Sequence, residues 1–293
     1  MKVAGFTFVK NAVLYDYPLA EAIASVLPLC DAFYVAVGDS GDGTRELVRM
    51  LAPEKIRILD TVWDASLTRG GAVYASETNK ALDAVPPEYD WCIYIQADEV
   101  LHEKYLPAVR QAMAKYLNYR NVEGLLFLYR HFYGTYDYVA ASRKWYRSEV
   151  RVIRNDKSIR SYRDAQGFRR LGRKLAVVPV DAEIFHYGWV RPPRQMQLKI
   201  DGVKEYYDGP AGEVKEEHHA REVFDYGEKY DVLDRFTGSH PSVMQERISR
   251  LNWKVEVDLK KIRLKLRYRL LHWWEIKTGI RLFEFRNYTV VSK

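Results

Sequence analysis

Five apolar or aromatic residues in succession, Trp91-Cys92-Ile93-Tyr94-Ile95, run straight into Gln96-Ala97-Asp98-Glu99. So short a run reads as a strand rather than a helix, and apolarity at every position marks a strand covered on both faces. Strands of that kind belong to parallel sheets, whose ligands bind beyond the strands' carboxyl ends. Two adjacent carboxylates at that edge suit a hard divalent cation such as Mg²⁺ or Mn²⁺, commonly the carrier of a phosphate-bearing substrate. The same pair could instead cap a helix beginning near Leu101. This stretch alone leaves both readings open.

The flanking chain repeats the pattern. Lys2 to Val9 reads as a strand closed by Lys10-Asn11, followed by a helix with Pro18 in its first turn and Leu19, Ile23, Val26 and Leu27 on one face. Ala32 to Val37 is a second buried strand, ending in Gly38-Asp39-Ser40-Gly41-Asp42-Gly43-Thr44 and a helix from Arg45. Lys55 to Leu59 is a third strand, Thr68 to Ala84 a helix, and a further helix runs through Tyr105, Val109, Met113 and Tyr116. Strands alternating with helices on short connections give an α/β fold with a mostly parallel sheet. After Asn121 the strand-like runs Gly124–Arg130, Glu149–Arg154 and Lys174–Val180 have no long helix between them, so an antiparallel portion is expected. From Pro192 the chain turns helical and polar, with a Gly/Pro break at 208–212.

Composition narrows the function classes. Residues 254–293 hold eleven Lys/Arg and four acids, which accounts for the whole net charge of +7. The body is neutral, so no general nucleic-acid surface is expected on it. Cys30 and Cys92 sit in apolar settings without metal-ligand spacing, reading as free buried thiols of a reducing compartment. With no signal-like or membrane-spanning run, a cytoplasmic location is expected.

Candidate chemistry gathers at the strand ends. Asp39 caps nothing obvious and could accept from a nucleobase or ribose, whereas Asp42 and Thr44 read as turn and helix caps. Arg69-Gly70-Gly71 opens a helix and could contact a diphosphate. His186, between Phe185 and Tyr187 at a strand end, is a credible metal ligand, and Arg191 beyond it could face a phosphate. His218-His219 lies in a charged run and reads as a solvated face. The aromatic loop Phe132–Tyr138 could stack on sugar rings or pack on its own domain.

Together these pieces resemble the family 2 nucleotide-sugar glycosyltransferases, which have the GT-A fold. Val3–Asn11 looks like their opening strand. Gly38–Thr44 is similar to their D-x-S-x-D-G-T loop, one residue shorter here, and Gln96-Ala97-Asp98-Glu99 resembles their D-A-D-E motif with Gln in place of the first Asp. His186-Tyr187-Gly188 looks like the family's late His. The resemblance covers roughly residues 1–195 and implies a catalytic domain there, with a helical basic extension over 196–293. It implies that Asp39, Arg69, Gln96, Ala97, Asp98 and Arg191 bind the donor. It further implies that Asp98 and His186, with Glu99 as an additional candidate, hold Mn²⁺ or Mg²⁺. Glu149–Arg154 matches a strand that precedes the catalytic base in similar enzymes, which points to Asp164 as base, with Glu149 as runner-up. The function implied is sugar transfer, with inversion, from a nucleoside-diphosphate donor to a glycan or lipid-linked hydroxyl. Two other classes compete. A sugar-nucleotide pyrophosphorylase carries a Gly-rich basic loop after its first strand, which Val9-Lys10-Asn11-Ala12-Val13 is not. A non-catalytic nucleotide-sugar-binding protein would explain Gln96.

In the tail, Leu259, Ile262, Leu266, Leu270 and Trp273 recur at helical spacing among Lys260, Lys261, Arg263, Lys265, Arg267 and Arg269. Such a helix either packs its apolar stripe on the body or lies on an anionic membrane, through residues 254–293.

Overall fold

The computed structural model describes residues 1–207 and 222–291. The break at 208–212 and His218-His219 lie outside the described residues. The strands are β1 (Val3–Val9), β2 (Ala32–Gly38), β3 (Ile56–Thr61), β4 (Trp91–Tyr94), β5 (Glu99–Leu101), β6 (Gly124–Tyr133) and β7 (Tyr138–Ala140). They continue with β8 (Ser148–Arg154), β9 (Ile159–Tyr162), β10 (Gly167–Arg170), β11 (Arg173–Lys174), β12 (Ala176–Trp189), β13 (Leu233–Arg235) and β14 (Thr289–Val290). The helices are α1 (Leu19–Val26), α2 (Thr44–Leu51), α3 (Ala72–Asp83), α4 (Leu106–Lys115), α5 (Pro193–Lys204), α6 (Tyr226–Lys229), α7 (Gln245–Ser249) and α8 (Leu266–Thr278).

The main sheet runs β3-β2-β1-β4-β8-β6, with β12 on the free side of β6. β1 to β4 are mutually parallel, β8 is antiparallel to both of its neighbours, and β12 runs parallel to β6. The mostly parallel α/β sheet read from the sequence is therefore present. Its apolar runs are continuous because alternate residues feed two different cores. Val3, Val9, Trp91 and Ile93 pack with α1, α2 and α4, while Ala4, Phe6, Cys92 and Tyr94 pack with α3 and the β9–β10 hairpin. α1 meets the first core through Leu19, Ala22, Ile23 and Val26, the i, i+3, i+4, i+7 stripe of an amphipathic helix.

Three elements differ from expectation. The run expected to stop at Val180 continues to Trp189, passing Asp181 and Glu183 through a register shift, and it pairs with β6 in parallel. The residues after Asp98 form no helix cap: Glu99–Leu101 is a short strand antiparallel to β12, with Glu99 opposite His186. The tail helix begins at Leu266 rather than near 259, and its apolar residues are largely exposed.

One buried ion pair ties the sheet centre together. Arg151 of β8 donates through Nε and Nη2 to the two oxygens of Glu99, at 2.8 and 2.7 Å, with both side chains out of solvent. Glu99 also accepts from the Tyr129 hydroxyl of β6 at 2.8 Å and from the Gln96 amide at 3.1 Å. Arg151→Met, which strands a buried carboxylate, is expected to lower unfolding free energy by about 3–5 kcal/mol, and adding Glu99→Leu to recover most of that loss. Urea titration of the wild type and both variants measures the effect.

Candidate active site

The chain lays β2 and β3 on one side of β1 and β4 on the other, so a crevice opens at the carboxyl ends of β1 and β4. A cavity of about 450 Å³ fills it. Its floor is Val9-Lys10-Asn11 at the end of β1 and Gln96-Ala97-Asp98 just past the end of β4. Lys199, Gly202, Val203 and Tyr206 of α5 and its C-terminal end close it from above, and Asp164 and Gln166 line a further wall. Residues beyond 195 thus complete a site that begins at residue 8.

Strand pairing brings Asp98 and His186 together. The Tyr187 amide donates to the Asp98 carbonyl at 2.8 Å, and His186 Nε2 lies 3.7 Å from Asp98 Oδ1. Hydrogen bonds fix the ring states. His131 Nε2 is 2.8 Å from the Tyr146 carbonyl and must donate to it, leaving Nδ1 as the acceptor in a neutral ring. His186 Nδ1, 3.0 Å away, then carries the proton, so its Nε2 turns a lone pair toward Asp98. Burial keeps both rings neutral, pushing His131 down to about 3 and His186 below the ordinary imidazole value. A carboxylate oxygen and an imidazole lone pair thus face each other with no proton between them. Gly188 holds that space open, since a β-carbon there would lie 2.6 Å from His186 Nε2 and 3.0 Å from Asp98 Oδ2.

The other oxygen of Asp98 belongs to cations. Lys199 Nζ is 3.3 Å from Oδ2 and donates to the Gly188 carbonyl at 2.9 Å, and Arg191 Nη2 is 4.0 Å from Oδ2. Burial pushes the Asp98 carboxyl up, but Lys199 and its neighbours outweigh it and hold the group down at about 2. Burial and the adjacent Arg191 bring Lys199 down to about 8.

The remaining expected residues sit as follows. Asp39 is exposed and lies outside the cavity lining, paired at 2.9 Å with Lys10, which does line it and sits over the Trp63 ring. Asp42 accepts from Thr44 and from the Leu14 amide, the structural role read from the sequence. Gln96 and Ala97 line the cavity, with Gln96 Nε2 reaching Tyr94 Oη and the Ala165 carbonyl. Asp164 lines it too, between Arg163 and Ala165, which both adopt the left-handed backbone at φ 56° and 61°, and its charge adds to the burial that holds the proton on the Tyr207 hydroxyl.

Four expectations meet a different arrangement. Glu99, a candidate metal ligand, has both oxygens bound by Arg151. Arg191, expected to face a phosphate, is wholly buried, donating to the Tyr15 carbonyl and stacked over Tyr17. Arg69 is exposed and outside the cavity lining, and the Gly70 and Gly71 amides are taken by the carbonyls of Tyr207 and Tyr206. Glu149 lies 3% exposed beneath the site and outside the cavity lining.

Lys199, Tyr17 and the Trp63-Tyr74-Tyr206 cluster were not singled out in the sequence. Lys199 sits at i, i+3, i+4, i+7 with Gly202, Val203 and Tyr206, a spacing that could have placed all four on one helix face. The rings of Trp63 and Tyr206 lie 5.3 Å apart and those of Trp63 and Tyr74 5.6 Å apart, giving the Asp39 end an aromatic wall.

No protein-family model and no curated protein sequence matches the chain. Among solved structures it is similar to residues 1–349 of TarS from S. aureus, at 16% identity and a TM-score of 0.38, over 69% of this chain and 64% of that one. The same TarS segment in complex with UDP-GlcNAc gives 19% identity and a TM-score of 0.32, over 45% and 35% of the two chains. Glucosyl-3-phosphoglycerate synthase from Mycobacterium tuberculosis, in complex with Mn²⁺, UDP and glucosyl-3-phosphoglycerate, gives 16% and 0.29 over 45% and 44%. The chain spans less than two thirds of the length of each.

Glu149 offers a test of the site's electrostatics. Burial, with Glu99 and Asp164 adding to it against Arg151, raises its carboxyl to about 8. A folded value above the unfolded one gives stability that is complete below about pH 4.5 and lost as pH climbs toward 8. Stability is expected to fall by roughly 4 kcal/mol across that window from this group. Glu149→Gln should flatten that fall, as read by denaturant unfolding at several pH values.

Proposed function

We propose that the chain is a glycosyltransferase of the GT-A type, moving a sugar from a nucleoside-diphosphate donor to a hydroxyl acceptor with inversion. Residues 1–195 form the catalytic domain in this reading, and the extension from 196 supplies its roof through α5. The observation that carries it is the facing of Asp98 Oδ1 and His186 Nε2 across 3.7 Å at the carboxyl edge of β4. With only acceptors on both sides and Gly188 keeping the gap clear, the pair fits a divalent cation, Mn²⁺ or Mg²⁺. Among the described residues no third His, Cys, Asp or Glu joins them. That suits a cation taking its other ligands from substrate phosphates and water. When bound, the cation would offset charge developing on the leaving diphosphate.

The chain's own groups do the rest. Lys199 carries an ammonium at the cavity side of Asp98, where a diphosphate would draw it. The donor's base fits against Trp63 beside Asp39, which can accept from a base N–H or a ribose hydroxyl. Asp164 takes the proton of the acceptor hydroxyl as its oxygen attacks the anomeric carbon and the bond to the diphosphate breaks. Asp164 suits this role better than Glu149 because it lines the cavity and Glu149 does not.

Asp98→Asn is expected to lower donor turnover by about 10²–10³-fold with the fold intact by circular dichroism. Asp164→Asn should abolish transfer while leaving nucleotide affinity nearly unchanged. Incubation with UDP-, GDP-, CMP- and dTDP-sugars, with and without Mn²⁺, identifies the donor through release of its nucleotide, a nucleoside diphosphate for all but the CMP-sugars. Pyrophosphate consumption instead would indicate a nucleotidyltransferase, and binding without turnover a non-catalytic protein.

A further inference from the structure

α8 turns its apolar residues outward. Leu266, Leu270, Trp273 and Ile276 are 72, 61, 58 and 68% exposed, and Ile280 and Phe283 just beyond are 56 and 84% exposed. The spacing 266, 270, 273, 276 follows one side of the helix, and Ile280 and Phe283 come after its end at Gly279. The opposite side holds the helix to the body. His272 is buried, Glu275 pairs with Arg281 at 2.7 Å and Arg147 at 3.7 Å, and Arg281 donates to the Trp145 carbonyl at 2.8 Å. The outward orientation is therefore set by contacts, not by a helix left loose.

Single exposed apolar residues are ordinary, but a contiguous group of this size marks an interaction surface. Its charge indicates with what. Lys265, Arg267, Arg269 and Lys277 stand exposed around the group and have no acidic partner among the described residues. The two acids between residues 260 and 286, Glu275 and Glu284, are already paired with arginines. A second copy of the chain fits poorly, because a two-fold contact would set this patch against itself and crowd like charges. An anionic bilayer meets both features. Its acyl boundary accepts the aliphatic side chains, its headgroups accept lysine and arginine, and tryptophan favours the level between.

We propose that α8 and the turn to Phe283 lie in the headgroup region of an anionic bilayer, with Leu270 and Trp273 inserted. This stands independently of the reaction proposed above. It also connects to the cavity, because α8 is fastened to the 145–147 segment, whose Tyr146 lines it. Docking would hold that rim at a set height over the lipid, where a lipid-linked hydroxyl would arrive.

The test uses the full chain with vesicles of phosphatidylcholine alone or mixed with phosphatidylglycerol, read by co-sedimentation at low and high salt. Binding is expected only to the anionic vesicles, weakening as salt rises, and falling about tenfold or more in Leu270→Glu and in Trp273→Glu. Both positions are exposed, so circular dichroism should be unchanged. No binding to anionic vesicles at low salt would overturn the proposal, as would binding that both substitutions leave intact. A concentration-dependent dimer abolished by the same substitutions, without vesicle binding, would assign the surface to a second copy instead.

Discussion

The Glu99–Arg151 pair is the contact on which the site's geometry rests. Glu99 follows Asp98 directly, and its two oxygens are held by β8 through Arg151, by β6 through Tyr129 and by the Gln96 amide across its own turn. Taking two charges out of water is expensive, and pairs of this kind are weak as a source of stability. Their value lies in specificity: few other arrangements of these strands satisfy the same charges. Here the arrangement they select places Asp98 at the cavity floor with one oxygen toward His186 and the other toward Lys199. The Arg151 guanidinium also donates to the Gln166 carbonyl, so the segment carrying Asp164 hangs from the same group.

Carboxylates around this centre are tuned in opposite directions by position alone. Asp98, facing cations, is held at about 2, and Glu149, with an oxygen buried and unpartnered, is raised to about 8. The two acids of one neighbourhood are therefore charged and neutral at the same pH.

The sheet was legible because strands covered on both faces must be apolar throughout, and β1, β2 and β4 obey that rule. β12 was only half legible, since Asp181 and Glu183 interrupt its pattern where the strand shifts register beside β6. Asp98 was legible as a carboxylate at a strand end, but its approach to His186 depends on β5 and β12 pairing across a long stretch of chain, which local spacing does not encode. Glu99 looked as available as Asp98 because nothing local reveals that Arg151 arrives to claim it. Arg69-Gly70-Gly71 has the composition of a phosphate loop, yet its amides are spent on carbonyls from the end of α5. Lys199 was invisible for the converse reason: one lysine on a polar helix looks like any other until the helix is placed. In the tail, the mixture of apolar and basic residues was legible, while the side facing the body was decided by Glu275, His272 and Arg281.

The position of β4 has a bearing on how the chain is made. Its one edge is met by β1, but the other waits for β8, which begins at Ser148. While the chain emerges from the ribosome, this strand, buried at every position in the finished fold, has an unpaired flank for more than fifty residues of further synthesis. The crevice is unfinished for longer still, until α5 has been delivered to roof it. A nascent chain therefore passes through a stage with its central strand open to the wrong neighbour.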